Sequence, residues 1–431
     1  MKPTDIFTPS DYPVHTYVTR SEENLEERLR QALGTPGEVV SVSGPSKSGK
    51  TVLIEKVAGR DNLITLTGAS ISAADDVWNK ALDWMEVPDS TSLSSASSTS
   101  GGPTLSAEVS GGVAFAAQAK VGGSIGRNTQ TSSSDTSFFQ RRGMEQVIRE
   151  IGGSSFTLFI DDFHYMQPQV QVGVARQIKE AARRGVKICT ASVPHRSDDV
   201  VRSNPELRGR IRAVDTKPWS EDELLKIGAI GFPILGYDIP EVQLRALAKE
   251  SFTSPQLMQA VCLQICFTLR IEEALDERQL RTLTAEEISK ALQETATRTD
   301  FASLLRLMHE GPKTRGTERK DHNLSDGSRG DVYRALLVAI KRDPALMSLP
   351  WNTLSRRVQA VCSPDSPQAS SLSTACSQIA RIAREMYPNQ RVVDWDGEPN
   401  NLLSIEDPYF LFYLRWSDKL EALKKGNALV P

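Results

Sequence analysis

Cysteine is scarce in this chain, with five residues in 431 and no C-x-x-C pair among them. No thiolate metal spacing is therefore offered, and the odd, scattered set fits a reducing cytosol. Cys262 and Cys266 stand four apart in an apolar helical stretch and read as core. Charge of one sign is equally lacking: the formal net charge is −3, which gives no global attraction to nucleic acid or to anionic membranes. Any such contact needs a local patch. No apolar run reaches the length of a spanning helix, so a membrane is not an expected partner. The opening MKPTDIFTPSDYPVH carries no apolar core of signal-peptide type, and the expected location is cytoplasmic. What remains is ordinary globular composition, 39% hydrophobic and 24% charged, with chain enough for two or three domains.

Against that plain background, residues 44–51 read GPSKSGKT, a full match to G-x-x-x-x-G-K-[ST]. Gly44 and Gly49 permit backbone conformations that a side chain forbids, so that successive N–H groups turn inward toward phosphate oxygens. Lys50 reaches the β- and γ-phosphates, and the Thr51 hydroxyl takes a place on Mg²⁺. The context agrees on both sides. GEVVSVSG is a short β-branched run, a buried strand, and TVLIEKVAG is a helix whose N-terminal dipole adds to an anion site. Gly44, Ser48, Gly49, Lys50, Thr51 and Val52 are thus the expected nucleotide-binding residues, with ATP and Mg²⁺ as cofactors.

NLITLTG (62–68), SFTLFIDD and VKICTAS (186–192) read as further strands. SAADDVWNKALDWM (72–85), FFQRRGMEQVIREIGG (138–153) and QVQVGVARQIKEAARRG have helical period, with Ser72 as a possible cap for the first. Strands alternating with helices indicate a parallel sheet covered on both faces. The strand at Phe156–Ile160 ends in two carboxylates, Asp161 and Asp162. Beside a phosphate loop, a strand end is where Mg²⁺ needs an anionic partner and an attacking water needs a base. Asp161 is assigned to Mg²⁺ and Asp162 to water activation. Residues 87–137 shift to Ser, Gly, Thr and Ala and read as an insertion, with a weak β-hairpin expected at 106–126. After 311–330, a polar basic linker, three helical patterns, a hairpin near Asp396-Gly397 and a closing aromatic helix suggest a winged helix.

These features together resemble the AAA+ class of ATPases, within it the origin-recognition/Cdc6-like and STAND-type groups, over roughly residues 13–300. The resemblance implies an α/β P-loop three-layer core at 1–220, a helical lid at 221–310 and a winged-helix-like domain at 311–431. TYVTRSEENLEERL looks like the entry motif, with Thr19 where Gly is usual and Arg20 at its arginine, which the resemblance implies to be a nucleotide-binding residue. VKICTAS looks like the sensor-1 strand, and both Thr190 and Ser192 fit. PELRGRIRAVDTKPWSEDEL looks like the segment bearing an arginine finger, with Arg210 at the matching place and Arg208 second. FTSPQLMQAVCLQ looks like the lid at its sensor-2 position. Pro255 fits the lid proline, which the resemblance implies to be at the nucleotide, while Gln256 stands where an arginine is common, which favours a slow switch over a fast motor. Asp162, where relatives often have Glu, points the same way.

The resemblance further implies a homo-oligomer, ring or filament, that recruits or activates a separate effector protein, a design used in bacterial defence and in transposition control. A DNA-binding initiator and a scaffold with structural ATP are the alternatives. For nucleic acid the candidate residues are Lys313, Arg315, Arg319, Lys320, Arg356, Arg357, Arg381 and Arg384. Acidic residues Asp394, Asp396 and Glu398 on the expected wing oppose them. The insertion is expected at the oligomer axis or a subunit interface.

Overall fold

The computed structural model describes residues 1–20, 23–88, 90–93, 137–193, 207, 209–313, 319–362, 364–388 and 390–423. They divide into two compact units. One, the sheet unit, comprises Ser21–Gly44 and Lys50–Thr216; the other, the helical unit, comprises Met1–Arg20, Pro45–Gly49 and Lys217–Pro431.

The sheet unit is built on five parallel strands, β1 (Val39–Ser43), β2 (Leu63–Thr67), β3 (Thr157–Asp161), β4 (Lys187–Ser192) and β5 (Ile211–Asp215), in the order β2-β3-β4-β1-β5. All five residues of VVSVS and the first four of TLFID are buried, Ser41 and Ser43 included, because helices cover both faces of the sheet. Val39, Ile64, Leu158, Ile160 and Ile188 join one core cluster, with side chains of the helices Asp76–Trp84, Met144–Ile151 and Pro168–Arg183. Their alternates Val40, Val42, Phe159, Cys189 and Val214 join another, with the helices Leu25–Gly34 and Lys50–Ala58. This is the three-layer arrangement expected from the sequence.

Two helices begin later than their periodicity suggests. The first starts at Asp76 and not near Ser72, because the Asp76 carboxylate accepts the Ser72 and Ala73 amides, both at 2.8 Å, and holds those residues in a turn. The second starts at Met144, after Gly143 at φ +51. Ser137–Gln140 instead forms an antiparallel ladder with Ser90–Leu93, so the insertion rises from a two-stranded stem. Arg141 fastens the base of that stem, donating to Asp83 Oδ1 at 2.7 Å. The hairpin expected at 106–126 lies outside the described residues.

In the helical unit one continuous core runs from Ile6 to Leu423. The first twenty residues belong to it: Ile6 and Phe7 are fully buried, and a Cβ on Gly231 would stand 2.3 Å from the Phe7 ring. The helix Glu221–Ile234 opens with a capping box, Ser220 with Glu223. Glu250, at the end of the helix Glu241–Glu250, accepts from Arg415 at 2.7 and 3.0 Å and from the Trp416 indole at 2.8 Å. From 332 onward the order is helix, strand, helix, helix, strand, strand, helix: Val332–Lys341, Ser348–Pro350, Trp351–Val361, Ala369–Met386, Val393–Asp396, Leu402–Ile405 and Pro408–Trp416. Leu402–Ile405 is the central strand of the three. The aromatic closing helix is core: Phe410 and Phe412 are fully buried, and Asp407 caps it by accepting the Tyr409 amide at 2.8 Å.

Candidate functional site

Strand β1 delivers the chain to Gly44 at the carboxyl edge of the parallel sheet, where open α/β sheets place their ligands. There Gly44 fits against β5: a Cβ on it would lie 1.8 Å from Thr216 Oγ1. Thr216 in turn donates both its amide and its hydroxyl to the Ser43 carbonyl, at 2.7 and 3.2 Å. Thr216 is therefore part of the site's frame, and nothing in a single sequence distinguishes it. The Gly44 amide donates to the Ser192 carbonyl at 3.3 Å. Gly49 has φ +85, the left-handed backbone its place in the motif requires, and Lys47 shares it at φ +60.

Lys50 opens the helix Lys50–Ala58, and its buried Nζ donates to the Gly44 carbonyl at 3.0 Å, so its ammonium closes over the loop's entrance. Thr51 Oγ1 donates to Asp161 Oδ2 at 2.7 Å. A motif hydroxyl and a strand-end carboxylate 110 residues apart in sequence thus meet. Val52 follows on the helix, half-buried. Asp161 Oδ1 accepts the Asp162 amide at 2.9 Å. Asp162 itself sits at φ +52, a left-handed conformation that Asp tolerates better than most residues. The end of β2 makes room for it: a Cβ on Gly68 would stand 2.3 Å from the Asp162 carbonyl oxygen. We expect Gly68→Ala to cut ATP turnover at least ~10-fold by shifting Asp162 while ATP affinity stays within about threefold. Steady-state turnover beside equilibrium titration checks this, and unchanged turnover would show that Asp162's position is unimportant.

The two candidates for the polar sensor differ in setting. Thr190 Oγ1 lies 3.4 Å from the Val40 carbonyl inside the sheet. Ser192 is the last residue of β4, in register with Ser43 where the loop begins. Arg210 lies at the other edge of the sheet. It precedes Ile211, which pairs with Val39 at the start of β1, and is exposed. Five strand residues, about 16 Å at ~3.3 Å each, separate its level from Gly44. Arg208 lies outside the described residues.

In the helical unit, Pro255 is the first residue of the helix Pro255–Thr268, and its Cγ stands 3.8 Å from where a Cβ on Gly49 would be. Ser254 caps that helix and donates its hydroxyl to the Lys47 carbonyl at 3.3 Å. The turn before it holds two left-handed non-glycine residues, Phe252 (φ 43) and Thr253 (φ 63), a strained approach that the sequence does not reveal. Arg20 is buried, and its guanidinium is engaged by protein: Nε and one terminal nitrogen face Glu223 at 2.9 and 3.4 Å, and the terminal nitrogens donate to the Lys217 and Pro218 carbonyls at 3.0 and 3.3 Å. Burial alone would raise the Glu223 carboxyl; the Arg20 and Ser220 hydrogen bonds outweigh it and hold Glu223 below the usual carboxylate range.

The loop's chemistry suits a Mg²⁺-bound triphosphate. Ser48 Oγ is buried without a hydrogen-bond partner, and a phosphate oxygen would satisfy it. No cluster of three or more His, Cys, Asp or Glu among the described residues makes a protein cage for a metal. Thr51 and Asp161 are the residues that would hold Mg²⁺, which takes much of its shell from phosphates and water.

The basic residues beyond 312 are largely engaged. Lys320 pairs with Asp365 at 2.9 Å, Arg319 with Asp331 at 2.9 Å, Arg381 with Glu385 at 3.5 Å and Arg384 with Asp394 at 3.3 Å. Arg356 and Arg357 donate to backbone carbonyls. Lys313 is exposed, and Arg315 lies outside the described residues.

No protein-family model and no curated protein matches the chain. Solved structures do. A Walker-type ATPase of Pyrococcus abyssi is similar over 93% of this chain and 96% of its own, at 13% identity and a TM-score of 0.50. Cdc6p from Pyrobaculum aerophilum is similar over 97% and 98%, at 14% identity and 0.42. The RuvB Holliday junction branch migration motor of Thermotoga maritima is similar over 93% and 97%, at 12% and 0.40. At such identities the likeness concerns the fold, and the Pyrococcus ATPase carries it. The chain has the three-layer α/β P-loop fold that the sequence implied, a fold it shares with that Walker-type ATPase. None of the described helices is long and apolar enough to cross a membrane.

Proposed function

We propose that this chain is a cytoplasmic ATP-dependent switch that binds Mg²⁺·ATP on Gly44–Thr51, hydrolyses it slowly, and self-assembles in the ATP state to engage a separate effector protein. The observation that carries the nucleotide reading is the Thr51–Asp161 hydrogen bond at 2.7 Å beside the buried Lys50 ammonium. Lys50 neutralises the β- and γ-phosphates, Asp162 orients or deprotonates the attacking water, and Ser192 at the end of β4 is the polar sensor. Pro255 and Ser254 bring the first turn of the helix Pro255–Thr268 to the loop.

Arg210 supports the oligomeric part. Its place at the far edge of the sheet keeps it from its own phosphate loop, and its exposure suits a finger offered to a neighbouring copy. The element order after 331 supports a winged helix. The ion pairs that occupy Arg319, Lys320, Arg381 and Arg384 favour protein docking over DNA for that domain. The insertion on its two-stranded stem is a candidate for the subunit interface. A role in defence or mobile-element regulation fits such a switch.

Mixing tests the shared site. Arg210→Ala should bind ATP and hydrolyse it at least ~10-fold more slowly, and adding Lys50→Ala protein should restore part of the turnover. One copy then supplies the finger and the other the loop. Two folded, co-assembled variants with no restored turnover would remove the finger from the reading.

A further inference from the structure

Residues Lys217–Ser220 lead from the Asp215–Thr216 strand end into the helix Glu221–Ile234. Within this strap, the Trp219 indole Nε1 donates to the Ser48 carbonyl at 2.9 Å. Arg20 grips the same strap at successive points. It donates to the carbonyls of 217 and 218, lies over the Trp219 ring with Cζ 5.2 Å from the centroid, and pairs with Glu223 in the following turn. Its side chain is only 6% exposed. These contacts lay a buried guanidinium along the strap that carries Trp219.

The consequence for the loop follows from the trans peptide. Within the plane of a trans peptide, the carbonyl and the following N–H point in opposite directions. Turning the Ser48 carbonyl toward Trp219 turns the Gly49 N–H away from it. The preceding peptide is fixed in the same manner, because Ser254 Oγ donates to the Lys47 carbonyl and so directs the Ser48 N–H. Two successive N–H groups are oriented together, the requirement for an anion-binding concavity.

We propose that Trp219 is a positioning residue for the triphosphate, setting the Ser48–Gly49 peptide through its indole N–H, and that Arg20 acts through Trp219 and not as a ligand of the nucleotide. This rests on the reading of Gly44–Thr51 as the nucleotide site. It revises what the resemblance implied for Arg20.

The test is titration of the full chain with Mg²⁺·ATP and, separately, with AMP, which has no β- or γ-phosphate. Trp219→Phe keeps a ring under Arg20 and removes only the donor. It should weaken ATP binding about 5- to 10-fold, the worth of one hydrogen bond, and leave AMP binding unchanged. Arg20→Gln should give a loss of similar size, and the double variant should be little weaker than either single one, since both act on one contact. Equal loss for ATP and AMP would make Trp219 a general structural or base contact and overturn the proposal. So would wild-type ATP affinity in Trp219→Phe, or losses that simply multiply in the double variant. If Trp219→Phe does not fold, Arg20→Gln carries the ATP-against-AMP comparison alone. Failure of the wild-type chain to bind ATP would remove the underlying site reading, which is a separate and visible result.

Discussion

Lys50→Ala should reduce ATP affinity by about two orders of magnitude or more while leaving the fold intact. The ammonium is buried at the start of the Lys50–Ala58 helix and held on the Gly44 carbonyl, so it faces the loop with little freedom to lose. Charge-assisted hydrogen bonds to phosphate are stronger than neutral ones, and a partly desolvated cation strengthens them further. Lys47 is no substitute: it is exposed, and its backbone carbonyl is already tied to Ser254. Calorimetric titration with Mg²⁺·ATP and a circular dichroism melt would measure both halves. Wild-type affinity in the variant would show that the loop is not the phosphate site.

Asp162→Asn should bind ATP much as wild type does and turn it over about 10²- to 10⁴-fold more slowly, the range for loss of a positioned general base. Asn is the informative replacement because it tolerates the left-handed backbone at φ +52, so the change removes the base without forcing the chain to move. Asp161→Asn makes the contrast. It weakens the acceptor of the Thr51 hydroxyl and the carboxylate proposed for Mg²⁺, so its defect should appear in the Mg²⁺ concentration needed for half-maximal turnover. Single-turnover phosphate release separates the two variants. Unchanged turnover in Asp162→Asn would shift the base role to Asp161 or elsewhere.

Much of the fold was legible because its signals are local. β-Branched runs marked β1, β3 and β4, helical period marked the covering helices, and the motif between a strand and a helix marked the loop. The order β2-β3-β4-β1-β5 was not legible, since pairing joins segments far apart in sequence. The stem Ser90–Leu93 with Ser137–Gln140 was hidden likewise: each half is four residues long, and Phe138–Gln140 passes for the start of a helix. At the candidate site, Lys50, Thr51 and Asp161 could be picked out because they are the residue types that phosphate and metal binding would call for, and the structure brings Thr51 and Asp161 together. Gly68 and Thr216 could not. Gly68 matters through the close approach of the Asp162 carbonyl, 2.3 Å from a hypothetical Cβ, and Thr216 through its hydroxyl, 1.8 Å from where a Cβ on Gly44 would stand; both approaches exist only after folding. Trp219 stood in view within KPWSEDEL, but its contact with Ser48 joins positions 171 apart. Arg20 was legible as a special residue, but the Glu223 carboxylate and the 217 and 218 carbonyls that engage it were not.

In the proposed function, nucleotide state sets assembly. Light scattering on the full chain during size exclusion tests it most directly, with Mg²⁺·ATP, Mg²⁺·ADP or no nucleotide in the running buffer. Wild type should run as a multimer with ATP, a state Asp162→Asn should retain longest, and at a single-chain mass with ADP or without nucleotide; Lys50→Ala alone should run at a single-chain mass under every condition. A single-chain mass for wild type with ATP demonstrably bound, or a multimer of equal mass whatever the nucleotide, would contradict it.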